Sequence, residues 1–231
     1  FLKTNNFLYL LINFLIIVVV ICALLLQPDI GTLLLYISVF SLLIILYFRN
    51  LKLFFILGIL GIAFIVFAYF SFEHVQIRID NFFDNQNTQV LKSISAIKEG
   101  GLFGVGLGEG QLKYSIPESH NDFIFAILVE EFGLVFGLII IVLYPIFFII
   151  AKNSNTNKSN LFIENTTFTL CFILCIQAFI NIGSSIGLIP PTGMTLPFVS
   201  YGGSSMLSYA FIFGTVMNFL KNEENPSNKT S

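Results

Sequence analysis

Six apolar runs, each close to the length that crosses a lipid bilayer, constrain what this chain can fold into. They cover residues 7–26, 30–48, 53–72, 123–151, 166–189 and 205–220. A hydrocarbon core about 30 Å thick is crossed by roughly 20 apolar residues in a helix, which satisfies its own backbone hydrogen bonds. Only 10% of the 231 residues are charged and 56% are hydrophobic, whereas a soluble domain carries about 25% charged residues. The mean hydropathy is +0.89. The expected fold is an all-α polytopic membrane protein, one transmembrane domain over residues 1–221 with a polar tail at 222–231. A net charge of −2 without a basic patch argues against nucleic acid as a partner. Cys22, Cys171 and Cys175 lie inside apolar runs and read as small buried hydrophobes. The first run begins almost at Phe1, which is not Met, so a preceding N-terminal part is expected.

Orientation follows from Lys and Arg in the short connections. The turn at 49–52 holds Arg49 and Lys52, the loop at 152–165 holds Lys152 and Lys158, and the tail holds Lys221 and Lys229. The turn at 27–29 and the segment 190–204 hold none. The basic turns and the C-terminus are expected in the cytoplasm, and residues 27–29, 73–121 and 190–204 on the outer side. All the unusual polar sequence then faces outward.

Within the outer loop 73–121, Val90 to Lys98 is amphipathic, with Val90, Leu91, Ile94 and Ile97 at helical spacing. The expectation is a helix lying on the membrane or on the bundle. Gly100 to Gly110 holds six glycines. It is no dinucleotide fingerprint, because no strand precedes it. A backbone nest for phosphate oxygens and simple loop flexibility are its two readings. The stretch Ile116-Pro117-Glu118-Ser119-His120-Asn121-Asp122 then runs into an apolar helix. Asp122 reads either as a helix N-cap or as a general base in a partly dry site. His120 and Glu118 are supporting partners or loop polars. Glu130 and Glu131 fall about 12–13 Å further along a continuous helix, inside the hydrocarbon. Carboxylates there normally face a cavity or a partner, and Glu130, roughly 80° around from Asp122, is the better candidate to share one. Gly133 and Gly137 form a small-xxx-small pair suited to close helix packing. The segment Ile189 to Ser205 has three prolines and three glycines yet is apolar. Irregular backbone at membrane depth survives only where it is buried or lines a cavity. A re-entrant loop is expected, with Ser200, Tyr201, Ser204 and Ser205 offering hydroxyls.

These motifs resemble the SEDS family, which includes FtsW, RodA and SpoVE. They are Gln27-Pro28-Asp29-Ile30-Gly31-Thr32, Gly101-Leu102-Phe103-Gly104-Val105-Gly106-Leu107-Gly108, Pro117-Glu118-x-His120-x-Asp122-Phe123-Ile124-Phe125-Ala126, Glu130-Glu131-x-Gly133 and Leu196-Pro197-x-x-Ser200-Tyr201-Gly202-Gly203-Ser204-Ser205. Pro191 to Pro197 and Arg78-Ile79-x-x-Phe82 look more like the FtsW/SpoVE branch than RodA. One departure is Asn121 where Thr is common.

The resemblance implies a ten-helix membrane protein of the bacterial inner membrane, of which these six spans would be the last six. It implies a peptidoglycan glycosyltransferase that polymerises lipid II during cell division, with a class B penicillin-binding protein as transpeptidase partner. Asp122 matches the family's proposed catalytic residue. It would take the proton from the acceptor 4-hydroxyl as that oxygen attacks the donor's anomeric carbon, inverting the centre. Arg78, Lys113, the glycine-rich backbone or a divalent cation, Mg or Mn, would stabilise the departing pyrophosphate. Glu118, His120, Glu130, Ser200, Tyr201, Gly202, Gly203, Ser204 and Ser205 complete the expected substrate site. Two rival readings are a lipid II flippase, which also needs a polar cavity among broken helices, and a non-catalytic truncated scaffold for a division transpeptidase.

Overall fold

The computed structural model of the protein describes residues 7–27, 29–84, 87–117, 119–154 and 161–224. Pro28, Glu118, Lys158 and most of the polar tail lie outside them. Among the described residues there are eight α-helices and no strand: α1 (Phe7–Leu26), α2 (Ile30–Phe48), α3 (Leu51–Ser71), α4 (Glu73–Phe83), α5 (Thr88–Gly100), α6 (Ile124–Ser154), α7 (Leu161–Ser185) and α8 (Gly203–Glu224). By length and composition, Gly31–Phe48, Ile124–Asn153, Leu161–Ser185 and Gly203–Lys221 can each cross a membrane. The bent pair formed by α3 and the helices after it can supply a fifth crossing.

Side chains fix several helix starts. Asp29 caps α2, its carboxylate accepting from the Thr32 N–H at 3.0 Å and the Thr32 hydroxyl at 2.7 Å. Asn50 caps α3 and Asn87 caps α5 through their side-chain oxygens. Such caps satisfy backbone donors that a helix start leaves unpaired.

The stretch 73–121 is not an open loop. It holds α4 and α5, and α5 packs into the bundle against α6 and α7. Its buried face is Val90, Ser93, Ala96 and Gly100. Ile94 and Ile97 pack at the edge of that core, whereas Leu91, expected inside, is exposed. The small residues decide the face: the Gly100 position would bring a Cβ to 2.0 Å from the Val129 carbonyl oxygen. Val90, Ile94 and Ile97 of the apolar stripe thus lie on the packed side, as a helix lying on the bundle requires, and Leu91 does not. The fifth run is helical over 161–185 rather than 166–189. Its end is set by Gly187 at φ +74, with the Leu188 N–H turning back to the Gly183 carbonyl at 2.8 Å.

The largest departure is in α6. It breaks at Gly133, whose φ of 84 and ψ of 169 are open only to glycine. A Cβ at Gly137 would lie 2.6 Å from Val129 and 3.3 Å from the tip of Phe125. In a continuous helix those residues would be about 12 and 18 Å apart along the axis. The arm 124–132 therefore folds back against the arm 134–154. Gly137 serves this packing within α6, where the sequence suggested packing between helices. The second arm alone, about 30 Å long, crosses a hydrocarbon core.

The glycine-rich stretch completes the turn. Val105 and Gly106 N–H groups donate to the Glu130 and Glu131 carbonyls at 2.9 and 3.1 Å. Leu134 and Val135 N–H groups donate to the Gly101 and Leu102 carbonyls at 2.9 and 3.3 Å. The loop thus supplies hydrogen bonds that the broken helix lacks. At Gly104 a Cβ would stand 2.1 Å from the Glu131 carbonyl, and at Gly133 one would stand 2.3 Å from that of Leu102. These glycines are required by backbone-to-backbone contact, and the N–H groups of Val105 and Gly106 are spent there rather than turned toward an anion.

Candidate active site

The reversal at Gly133 changes where the carboxylates lie. Glu130 and Glu131 sit at the turn, beside the glycine-rich loop. Asp122 lies at the other end of the folded-back arm, against the irregular segment after α7. Glu130 is fully buried. Its Oε1 accepts from the Leu112 N–H at 2.9 Å, and Gly110 leaves room for the carboxylate. Glu131 pairs with Lys113, Nζ to Oε1 2.8 Å, and Lys113 also donates to the Gly108 carbonyl at 2.9 Å. That bond to Glu131 raises the Lys113 pKa. Glu130 and Lys113 are thus tied into the loop–helix junction, and the structure does not bring them to Asp122. Arg78 is half-buried on α4, which packs against α3.

Asp122 is half-buried immediately before α6. The helix begins at Ile124, and the Phe123 carbonyl accepts from the Ala126 and Ile127 N–H groups at 3.0 and 3.4 Å. The capping position therefore belongs to Phe123, one residue beyond Asp122. The segment 190–202 wraps this helix start, and Leu196, Pro197 and Ser200 within it are buried. This fits the re-entrant expectation. Tyr144 of α6 donates to the Pro197 carbonyl at 2.7 Å. Gln177 of α7 donates to the Tyr209 hydroxyl at 2.6 Å, which in turn meets the Thr195 hydroxyl at 2.5 Å. Asn181, fully enclosed on α7, uses one Nδ2 to reach both the Asp122 carbonyl at 2.9 Å and the Met194 carbonyl at 2.6 Å. From the other side, a Cβ at Gly31 would clash with Thr192 and Met194, so α2 packs tightly on the same segment.

Two further bonds join the re-entrant segment to the helix start. The Ser200 hydroxyl accepts from the Leu196 N–H at 2.7 Å and donates to the Asn121 carbonyl at 2.6 Å. The Tyr201 N–H donates to the His120 carbonyl at 3.0 Å. The Ser200 hydroxyl is therefore engaged in two structural ties. Next to these ties lies an open cleft of about 610 Å³ lined by His120, Ile124, Val199, Ser200, Tyr201, Gly202, Gly203 and Met206. Asp122 falls in the chain between two of its lining residues, His120 and Ile124. Gly193, at φ +74, has no side chain to crowd the Asp122 carboxylate, and a Cβ there would lie 3.8 Å from Oδ2. The cleft receives two helix starts, α6 at Ile124 and α8 at Gly203. Helix N-termini present unpaired N–H groups and partial positive charge, a setting for phosphate oxygens. Ser204 and Ser205 fall in the first turn of α8, and Ser205 donates to the Gly202 carbonyl at 3.1 Å.

Among the described residues no three His, Cys, Asp or Glu side chains come together as a metal cage.

A family model described as "Cell cycle protein", covering FtsW, RodA and SpoVE, matches residues 2–225. The chain belongs to this family. It is 36% identical over 216 residues to "Probable peptidoglycan glycosyltransferase FtsW" of Caulobacter vibrioides, covering 91% of this chain and 55% of that protein. It is 33% identical over 199 residues to "Stage V sporulation protein E" of Bacillus subtilis, covering 83% and 54%. The chain thus spans about half the length of these curated relatives. Its fold matches a solved structure described as "Structural coordination of polymerization and crosslinking by a peptidoglycan synthase complex", with a TM-score of 0.64 and 24% identity over 91% of this chain and 60% of that one. Family membership and the apolar helices make it a multi-pass membrane protein.

Asn181, Gln177, Tyr144 and Tyr209 were not apparent as site residues in the sequence. The available signal was polarity within apolar runs, since an uncharged polar side chain at membrane depth normally has a specific partner.

Proposed function

We propose that the protein containing this chain is a peptidoglycan glycosyltransferase that polymerises lipid II at the outer face of the bacterial inner membrane, with its C-terminus in the cytoplasm. The observation that carries this reading is the cleft onto which the starts of α6 and α8 open, with Asp122 in the chain between two of its lining residues, His120 and Ile124. Asp122 takes the proton from the acceptor sugar's 4-hydroxyl as it attacks the donor's anomeric carbon. The new C–O bond forms as the bond to polyprenyl pyrophosphate breaks. The negative charge that builds on the leaving pyrophosphate is met by the N-termini of α6 and α8. His120 and Tyr201 line the same cleft, where His120 can bond a sugar hydroxyl and the Tyr201 ring can cover a sugar face. No step is assigned to Glu130 or Lys113, which are held elsewhere.

The names of the relatives favour polymerisation over the flippase reading. Partnership with a class B penicillin-binding protein is proposed on the same ground. The test is polymerisation of purified lipid II by the full-length protein carrying Asp122→Asn, a nearly isosteric change. Loss of about 10²-fold or more is expected for a lost general base. Wild-type polymer yield from a correctly inserted variant would remove Asp122 from the mechanism.

A further inference from the structure

The opposite end of the bundle carries a second cleft, which the glycosyl-transfer site does not use. Its volume is about 300 Å³, and it lies between the C-terminal end of α2, the end of α6 and the start of α7. The floor is apolar, formed by Ile45, Leu46, Phe148 and Phe168 among others. The rim is polar and carries Arg49, Lys152 and Glu164. Two cations against one carboxylate leave it net positive by one. Among the described residues none of these three is ion-paired. Arg49 and Lys152 are exposed and Glu164 is half-buried, so the charged groups stand at the mouth of the cleft rather than in its floor.

One further observation indicates a ligand. Thr167 lines the cleft, is buried, and its hydroxyl has no hydrogen-bond partner. A buried hydroxyl without a partner carries a desolvation cost that a bound acceptor would remove. Arg49 adopts the left-handed conformation, φ 49 and ψ 35, where it ends α2. That position is normally filled by glycine or asparagine, because a Cβ there crowds the backbone. Glycine would fit that position better than arginine does.

We infer that this cleft binds the headgroup of a phospholipid, with the phosphate held by Arg49 and Lys152 and an ethanolamine ammonium facing Glu164. The apolar floor suits the glycerol and the first acyl carbons. The place suits it too: all three rim charges sit at the end of the bundle where basic turns gather, the setting in which headgroups bind between membrane helices. Arginine matches a phosphodiester in two parallel hydrogen bonds, and the lysine adds a point charge. Nothing in this inference depends on the glycosyltransferase reading.

Native mass spectrometry of the detergent-purified full-length protein tests it, with phosphatidylethanolamine, phosphatidylglycerol and inorganic phosphate as probes. Wild type is expected to retain phosphatidylethanolamine in preference to phosphatidylglycerol, and phosphate is expected not to displace it. Arg49→Gly and Lys152→Gln are each expected to weaken retention about tenfold. Arg49→Gly is also expected to hold or raise the lipid-free melting temperature, because glycine fits the left-handed position, so its loss of lipid cannot be blamed on misfolding. Glu164→Gln is expected to abolish the preference between the two lipids. Unchanged retention in Arg49→Gly would overturn the inference. So would displacement by phosphate alone, which would mark a site for a free anion. Absence of retained lipid from the wild type would show that another part of the longer protein fills the cleft, and would also overturn it.

Discussion

At the scale of single residues, Asn181 shows how the site is held. One amide nitrogen serves two carbonyls, those of Asp122 and Met194, and so joins the start of α6 to the re-entrant segment. Replacing it with leucine would leave two buried acceptors unmet, each costing about 1–3 kcal/mol. Asn181→Leu is therefore expected to destabilise the detergent-solubilised protein by about 3 kcal/mol and to lower lipid II polymerisation, with thermal unfolding and polymer yield as the measurements. Asn181→Asp tests whether the donor matters. It keeps the shape but turns a carboxylate toward two carbonyls, and is expected to be at least as damaging. Ser200→Ala is expected to cost about 1 kcal/mol through its ties to Leu196 and Asn121, with little direct effect on catalysis. A loss of activity with unchanged melting would instead place the Ser200 hydroxyl at the substrate. The position of Asp122 at the entrance to an apolar helix was visible in the sequence because Asn-Asp before an apolar run is a boundary signal. The Asn181 clamp was not, because its partners are main-chain carbonyls 59 and 13 residues away, and such carbonyls leave no mark in composition.

At the scale of elements, the break in α6 is the feature that periodicity could not reveal. Residues on both sides of Gly133 are helical and apolar, so the pattern reads as one long span. The glycines were legible as unusual, yet their purpose needs the tertiary contact. Gly100, Gly104 and Gly133 are explained by the backbone that a methyl group would meet. Gly104→Ala and Gly133→Ala would each combine a left-handed or extended positive-φ backbone with a backbone clash below 2.5 Å, and are expected to cost about 3 kcal/mol or more. Gly108→Ala meets nothing within 4 Å at φ +85 and should cost only the conformational penalty, about 1–2 kcal/mol. Melting temperatures of the three variants, ranked side by side, check this. Equal effects would mean that the loop does not stitch the helix turn. The same logic explains Leu91. A tight α5–α6 approach selected Ser93, Ala96 and Gly100 for the interface and left the larger residue outside.

At the scale of the whole molecule, the order of the apolar helices follows from hydropathy, since lipid permits few other solutions; among the described residues four of them, or five with the bent pair, are long and apolar enough to cross. The distribution of Lys and Arg then makes a statement about sidedness that the fold can be asked to meet. Arg49, Lys152 and Glu164 gather at one cleft, whereas the glycine-rich loop, the Asp122 site and the start of α8 belong to the segments that the charge distribution predicts to lie outside. The two ends are chemically distinct, so orientation is testable with one reporter at each. Leu107, 76% exposed at the glycine-rich loop, and Asn50, exposed between α2 and α3, are suitable positions. In full-length protein whose native cysteines are changed to alanine, a cysteine at Leu107 is expected to react with a membrane-impermeant maleimide on intact, outer-membrane-permeabilised cells. A cysteine at Asn50 should react only after the inner membrane is opened. The reverse pattern would place Asp122 on the cytoplasmic side, where a polymerase of exported lipid-linked sugars cannot work, and would remove the glycosyltransferase reading along with the topology. Labelling of both positions in intact cells would mean that the α2–α3 turn does not reach the far side, and that the apolar runs cross the membrane fewer times than their lengths allow.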